Sequence, residues 1–136
     1  MGALAKKIAT YADLVALPPH VVGELLMGTL VTHPRPTPRH SHAHMALGGI
    51  ITQGFQFGSG GPGGWIILTE PELHLGTDVT VPDLAGWRRE RLIPFPETAW
   101  IETPPDWICE VISDSTEKYD RHDKRMIYLA AGVKFL

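Results

Sequence analysis

The sequence predicts an α/β domain, with a mixed β-sheet flanked by helices. Three observations carry this. Short apolar, β-branched runs recur along the second half of the chain, in WIILTE, DVTV and WICEVIS. Helical spacing of apolar residues precedes them, and a charged helical segment follows them. Helices before and after a run of strands must cover the faces of a sheet.

Each element follows in order. Thr10-Tyr11-Ala12-Asp13 has the form of a helix start, and a short helix should run to about Leu17, before Pro18-Pro19. VVGELLMGTLVTH holds two apolar runs around Met27-Gly28 and predicts a β-hairpin. His33 to Arg39 is proline-rich and should be loop. Ser41 should cap a helix through about Gln56, with Ala43, Leu47, Ile50 and Ile51 spaced to share one face. GSGGPGG (58–64) lacks the GK[ST] ending of a phosphate loop and is expected to be a linker. WIILTE and PELHL are strands. DVTVPDLAGW is a β segment whose Pro82 suggests an edge, a bulge or a strand start. RRERLIPFPETAWIETPP should be a connection. WICEVIS is the most strand-like segment. A helix from about Thr116 to Ala131 should end at Gly132, and VKFL looks like the beginning of another strand.

Bulk properties narrow the function. The 136 residues suit a single domain spanning 1–136. A formal net charge of -3 offers no global basic field, so any nucleic-acid surface must be local. The single Cys109 excludes an internal disulfide and a CxxC zinc site, and it fits a reducing, cytoplasmic setting. No apolar run approaches the length of a membrane span.

WICEVIS also carries an anomaly. If the strand is continuous, Glu110 shares a face with Ile108 and Ile112, where a carboxylate needs a partner. Asp83 opens another strand. Asp120 and Lys124 lie i, i+4 on the following helix, and Tyr128 extends their face. Two carboxylates on neighbouring strands suit a hard divalent cation such as Mg²⁺, which can activate water against a phosphodiester. A bland alternative stands beside this: a turn aspartate, and an exposed helix ion pair worth about 0.3 to 0.5 kcal/mol.

PDLAGWRRERL, then PPDWICEVISDSTEKYDRHDKRMIYLAAGV, resembles the Uma-two family of restriction-endonuclease-like proteins, within the PD-(D/E)xK nuclease superfamily. GELLMGTLV and PRHSHAHMAL resemble that family's hairpin and the start of its long helix, with His40 in the family's histidine position. The resemblance implies a restriction-endonuclease-like fold and Mg²⁺- or Mn²⁺-dependent cleavage of nucleic acid, with DNA expected. It implies Asp83 and Glu110 as metal ligands, the Val111 carbonyl as a further ligand, and Lys124 as the catalytic lysine. The superfamily's usual lysine position, two after Glu110, is Ile112 here. Glu24, Asp120 and Tyr128 take supporting roles. Family members continue past the GV into further strands, so this chain is expected to be truncated at its C-terminus. A homodimer would then cover the exposed sheet edge. The alternative is an inactive nuclease-fold module for nucleic-acid binding or assembly.

Other features carry less. Arg88, Arg89 and Arg121, with Arg91, Lys118 and Arg125, could contact phosphates or form a solvated face. His40, His42 and His44 would converge on zinc from a strand, but on a helix they fan out by about 200° per two residues. A capping or surface role is expected. The tryptophans could stack on bases, with Trp107 in the core.

Overall fold

The structure is a computed structural model that describes residues 7–112 and 118–136, with residues 118–120 described in backbone only. Seven strands form two antiparallel sheets. They are β1 (Val22–Leu26), β2 (Thr29–His33), β3 (Trp65–Thr69), β4 (Leu73–Leu75), β5 (Asp78–Thr80), β6 (Leu84–Arg88) and β7 (Trp107–Cys109). The first sheet has the order β2-β1-β5-β4 and the second β3-β6-β7. Parallel pairing enters through isolated bridges, Leu73 with Ile101 and Trp107 with Phe135. At the latter, the Ile108 N–H donates to the Phe135 carbonyl at 2.9 Å, so VKFL does begin to pair beside β7.

The hairpin forms where expected. Met27 and Gly28 both have positive φ, 51° and 82°, as a two-residue turn of this hand requires. Methionine is a poor residue for that region. The Asp78 side chain compensates by accepting the Met27 N–H at 2.9 Å. Pro82 and Asp83 form the corner where the chain leaves β5 in one sheet and enters β6 in the other. A residue without an N–H is tolerated there because the ladder is interrupted.

The helices are α1 (Tyr11–Val15), α2 (Pro38–Ile51), α3 (Arg89–Leu92) and α4 (Lys118–Ala130). The Thr10 N–H donates to the Asp13 carboxylate at 2.8 Å, which closes the start of α1. α2 begins four residues earlier than the Ser41 cap implied. Thr37 accepts the His40 N–H at 3.2 Å and Pro38 occupies the first turn, a stronger start than Ser41 offers. The helix continues as a π-helical turn over Thr52–Gln56. Its apolar residues are not buried: Leu47 is 39% exposed and Ile50 70%. Spacing showed a shared face but not whether anything covers it. The 58–64 segment is ordered against the π turn, with the Gly63 N–H on the Gly54 carbonyl at 3.0 Å. Gly61 has no room for a side chain, since a Cβ would lie 2.7 Å from the Gly54 carbonyl oxygen.

The core gathers Leu26, Ile66, Leu73, Trp87, Ile108, Ile127 and Tyr128 from both sheets and α4. Trp87 is fully buried, and Trp65 is buried too, so neither is free to stack on a base; Trp107 is only half-buried. Gly132, at φ 88°, ends α4, and the Val133 N–H returns to the Tyr128 carbonyl at 3.0 Å. The expected start of this helix at Thr116 lies outside the described residues. Among those described, no helix is long and apolar enough to cross a membrane.

Candidate active site

The WICEVIS strand is shorter than its composition implied. β7 stops at Cys109, and Glu110 lies just past it. Ile108 is 1% exposed and Ile112 56%, so the two do not share a buried face. The ladder ends because the Val111 N–H is taken by a side chain: it donates to Asp83 Oδ2 at 2.6 Å. β6 and β7 pair Leu84 with Cys109 and Ala85 with Ile108. Asp83 and Glu110 are the next residues beyond the last pair, where the ladder has ended. Both line one cavity and repel one another, and the Val111 amide holds Asp83 beside the Glu110–Val111 segment.

α4 supplies the partner that Glu110 needs. Lys124 Nζ lies 2.5 Å from Glu110 Oε1 and 2.9 Å from Glu24 Oε2. Tyr128, one turn on, donates its hydroxyl to Glu110 Oε1 at 3.0 Å. Glu24 reaches this point from β1. It is 1% exposed, accepts the Val81 N–H at 2.7 Å, and lies 2.5 Å from His33 Nε2. Thus β1, the Pro82 corner, the end of β7 and α4 converge on one buried charge cluster.

The charges follow from this packing. Burial pushes the Glu24 carboxyl up, but His33, Lys124 and the Val81 N–H outweigh it, and its pKa is lowered. Burial would deprotonate Lys124, yet Glu110 and Glu24 raise its pKa, so it remains a cation. Glu110 is raised: burial comes first, Glu24 and Asp83 add repulsion, and Lys124 only partly offsets them. Burial, then Glu110, pushes the Tyr128 hydroxyl well above its usual range, so it stays a donor. The Cys109 thiol is also raised, by burial and then by Asp83 and Glu110, which makes it a poor nucleophile.

A cavity of about 880 Å³ opens onto the cluster. Asp83, Glu110, Lys124, Glu24, Tyr128 and Arg121 all line it, as does Val111. The structure thus brings together most of the residues singled out from sequence. The side chain of Asp120 lies outside the described residues. Arg88 and Arg89 do not line the cavity. Arg88 ends β6 at the far side from Asp83, about 17 Å away at 3.4 Å per residue, and Arg89 begins α3 beyond it. Arg88 covers the Trp65 ring at 4.6 Å, and Arg91 is paired with Asp106 at 2.6 Å.

Two histidines also reach the cluster. His40 Nε2 lies 3.2 Å from Asp83 Oδ1 and its ring lines the cavity. His33 braces Glu24. The legible clue to His40 was the helix start at Thr37-Pro38, which places it in the first turn of α2. His33 gave no comparable clue, since its role depends on cross-strand geometry.

The donor set suits a hard cation. Carboxylate oxygens from Asp83 and Glu110 face one cavity, and their mutual repulsion is the condition a divalent ion relieves. The Val111 carbonyl is close in sequence, although the contact seen for Val111 is its amide on Asp83.

Comparison with known proteins identifies the fold and the family. A crystal structure of a putative nuclease belonging to DUF820 from Anabaena variabilis superposes with a TM-score of 0.75 at 20% identity, covering 90% of this chain and 68% of that one. That likeness establishes the fold. No curated protein matches. The Uma2 family model, described as "Putative restriction endonuclease", matches residues 9–135. With that match running from before α1 to the last residues of the chain, the protein belongs to the Uma2 family.

Proposed function

We propose that the protein is a metal-dependent endonuclease that hydrolyses phosphodiester bonds in DNA. The observation that supports this is one cavity lined by Asp83, Glu110 and Lys124, with the Val111 amide on Asp83 and the Lys124 ammonium on Glu110. Asp83, Glu110 and the Val111 carbonyl would hold Mg²⁺ or Mn²⁺. When bound, such an ion supplies Lewis acidity toward a phosphoryl oxygen and lowers the pKa of water.

The remaining work falls to the chain's own groups. Lys124 is protonated, so it acts as a cation and donor rather than as a base. It orients the attacking water or neutralises charge on the phosphoryl oxygens. Glu24 holds the Lys124 ammonium and keeps its charge. The Tyr128 hydroxyl restrains the Glu110 carboxylate, and His40 restrains Asp83. Arg121 and Arg125 line the cavity and would receive neighbouring phosphates. Arg88 and Arg89 would meet only a substrate long enough to extend along β6.

The test is plasmid cleavage with Mg²⁺, Mn²⁺ or EDTA, run beside Glu110→Ala. Metal-dependent nicking that the variant loses is the expected result. A folded wild-type protein that cuts under no metal would overturn the proposal.

A further inference from the structure

His40 and His44 are four residues apart on α2 and present their rings on one side of it, 6.2 Å between centroids. The fan of three histidines expected from sequence therefore resolves into a convergent pair, with exposed His42 pointing away. Among the described residues, His40, His44 and Asp83 form a group whose donor atoms all lie within 4.8 Å of one another. All three are half-buried.

We propose that these three residues form a transition-metal site beside the carboxylate site, taking Zn²⁺ or Co²⁺ in preference to Mg²⁺. The chemistry differs because the donors differ. Two imidazoles and one carboxylate suit an ion that accepts nitrogen, whereas Mg²⁺ demands oxygen. One of the three separations already matches that of a bound ion, and the others lie within 4.8 Å. Ligands about 2.0–2.1 Å from a tetrahedral ion lie about 3.3 Å apart, and His40 Nε2 to Asp83 Oδ1 is 3.2 Å. Histidines at i, i+4 on a helix are a recurrent zinc-binding pair. Thr69 Oγ1, 2.8 Å from His44 Nε2, orients the second ring as an outer hydrogen-bond partner does. Asp83 belongs to both sites, so an ion held by the histidines would sit beside any ion held with Glu110. The site does not depend on the nuclease reading, because neither histidine is needed to hold Mg²⁺.

The test uses the full chain, free of any histidine tag and stripped with EDTA. Co²⁺ is titrated while its visible absorption is followed, and Zn²⁺ binding is measured by equilibrium dialysis. The wild type should bind each ion, and His44→Ala should weaken binding at least tenfold. His42→Ala should bind as the wild type does, and Glu110→Ala should keep the ion whose Co²⁺ absorption His44→Ala loses. Should His44→Ala fail to fold, His44→Gln keeps a polar partner for Thr69 and is expected to show the same loss. Absence of Co²⁺ and Zn²⁺ binding by the wild type would overturn the proposal. So would unaltered binding in a folded His44 variant, or an equal loss in His42→Ala, which would mean a surface chelate. Loss of cleavage in Glu110→Ala with retained Co²⁺ binding separates this site from the hydrolytic one.

Discussion

Lys124→Met is the perturbation whose cost the structure defines best. The lysine is buried and bridges two carboxylates, at 2.9 Å to Glu24 and 2.5 Å to Glu110. Removing one partner of a buried ion pair typically costs about 3–5 kcal/mol, because the other charge is left uncompensated. Glu24 is 1% exposed and would be that charge. It keeps the Val81 N–H and His33, which places the loss at the lower end, about 3 kcal/mol. The Glu110 side chain is 32% exposed, so solvent screens it and it adds little. Urea unfolding at pH 7, followed by tryptophan fluorescence, measures the loss. The Glu24→Gln/Lys124→Met double variant should then lose less than the two single losses combined, by about 1 kcal/mol or more. A single variant within about 0.5 kcal/mol of the wild type, or strict additivity in the double, would refute the claim that the cluster is held by charge.

Three further outcomes follow from separate contacts. Tyr128→Phe removes the hydroxyl that restrains Glu110 and should cost about 1 kcal/mol in urea melts while slowing metal-dependent cleavage; an unchanged rate would remove Tyr128 from the site. Gly86→Ala places a Cβ 2.9 Å from Ile67 Cδ1 and 3.3 Å from a Trp107 ring carbon, and should destabilise by about 1–3 kcal/mol; a neutral result would mean that Ile67 and the ring yield freely. Burial raises the Asp106 carboxyl, but the Arg88 N–H and the Arg91 guanidinium outweigh it and its pKa is lowered. Its stabilising contribution is therefore full above the unfolded value, about 3.9, and is lost as pH falls through the folded value. The stability gap between wild type and Asp106→Asn should be constant near neutrality and shrink below about pH 4; a gap that widens in acid would reverse the sign of this linkage.

What the sequence could and could not disclose follows from how each element is held. The hairpin, β3 to β6 and α4 were legible because local pattern and burial agree there. Glu110 stood out because a carboxylate in an apolar run must be compensated, and the compensation was found on α4 at Lys124. The end of β7 was not legible. Val-Ile after Glu110 has every local reason to continue a strand, and only the Asp83 carboxylate, 28 residues before Val111 in the chain, diverts the Val111 N–H. That same diversion holds Asp83 and Glu110 together, so the misjudged strand end and the site have one cause. The exposed apolar face of α2 has the opposite origin: the spacing is real, but burial depends on what packs against it. His40 joins both lessons. An N-cap reading at Thr37 turns its position from loop to first-turn helix, and from there its ring meets Asp83. Site residues whose partners are local in register could be named in advance; those whose partners are chosen by a side chain stealing a backbone donor required the fold.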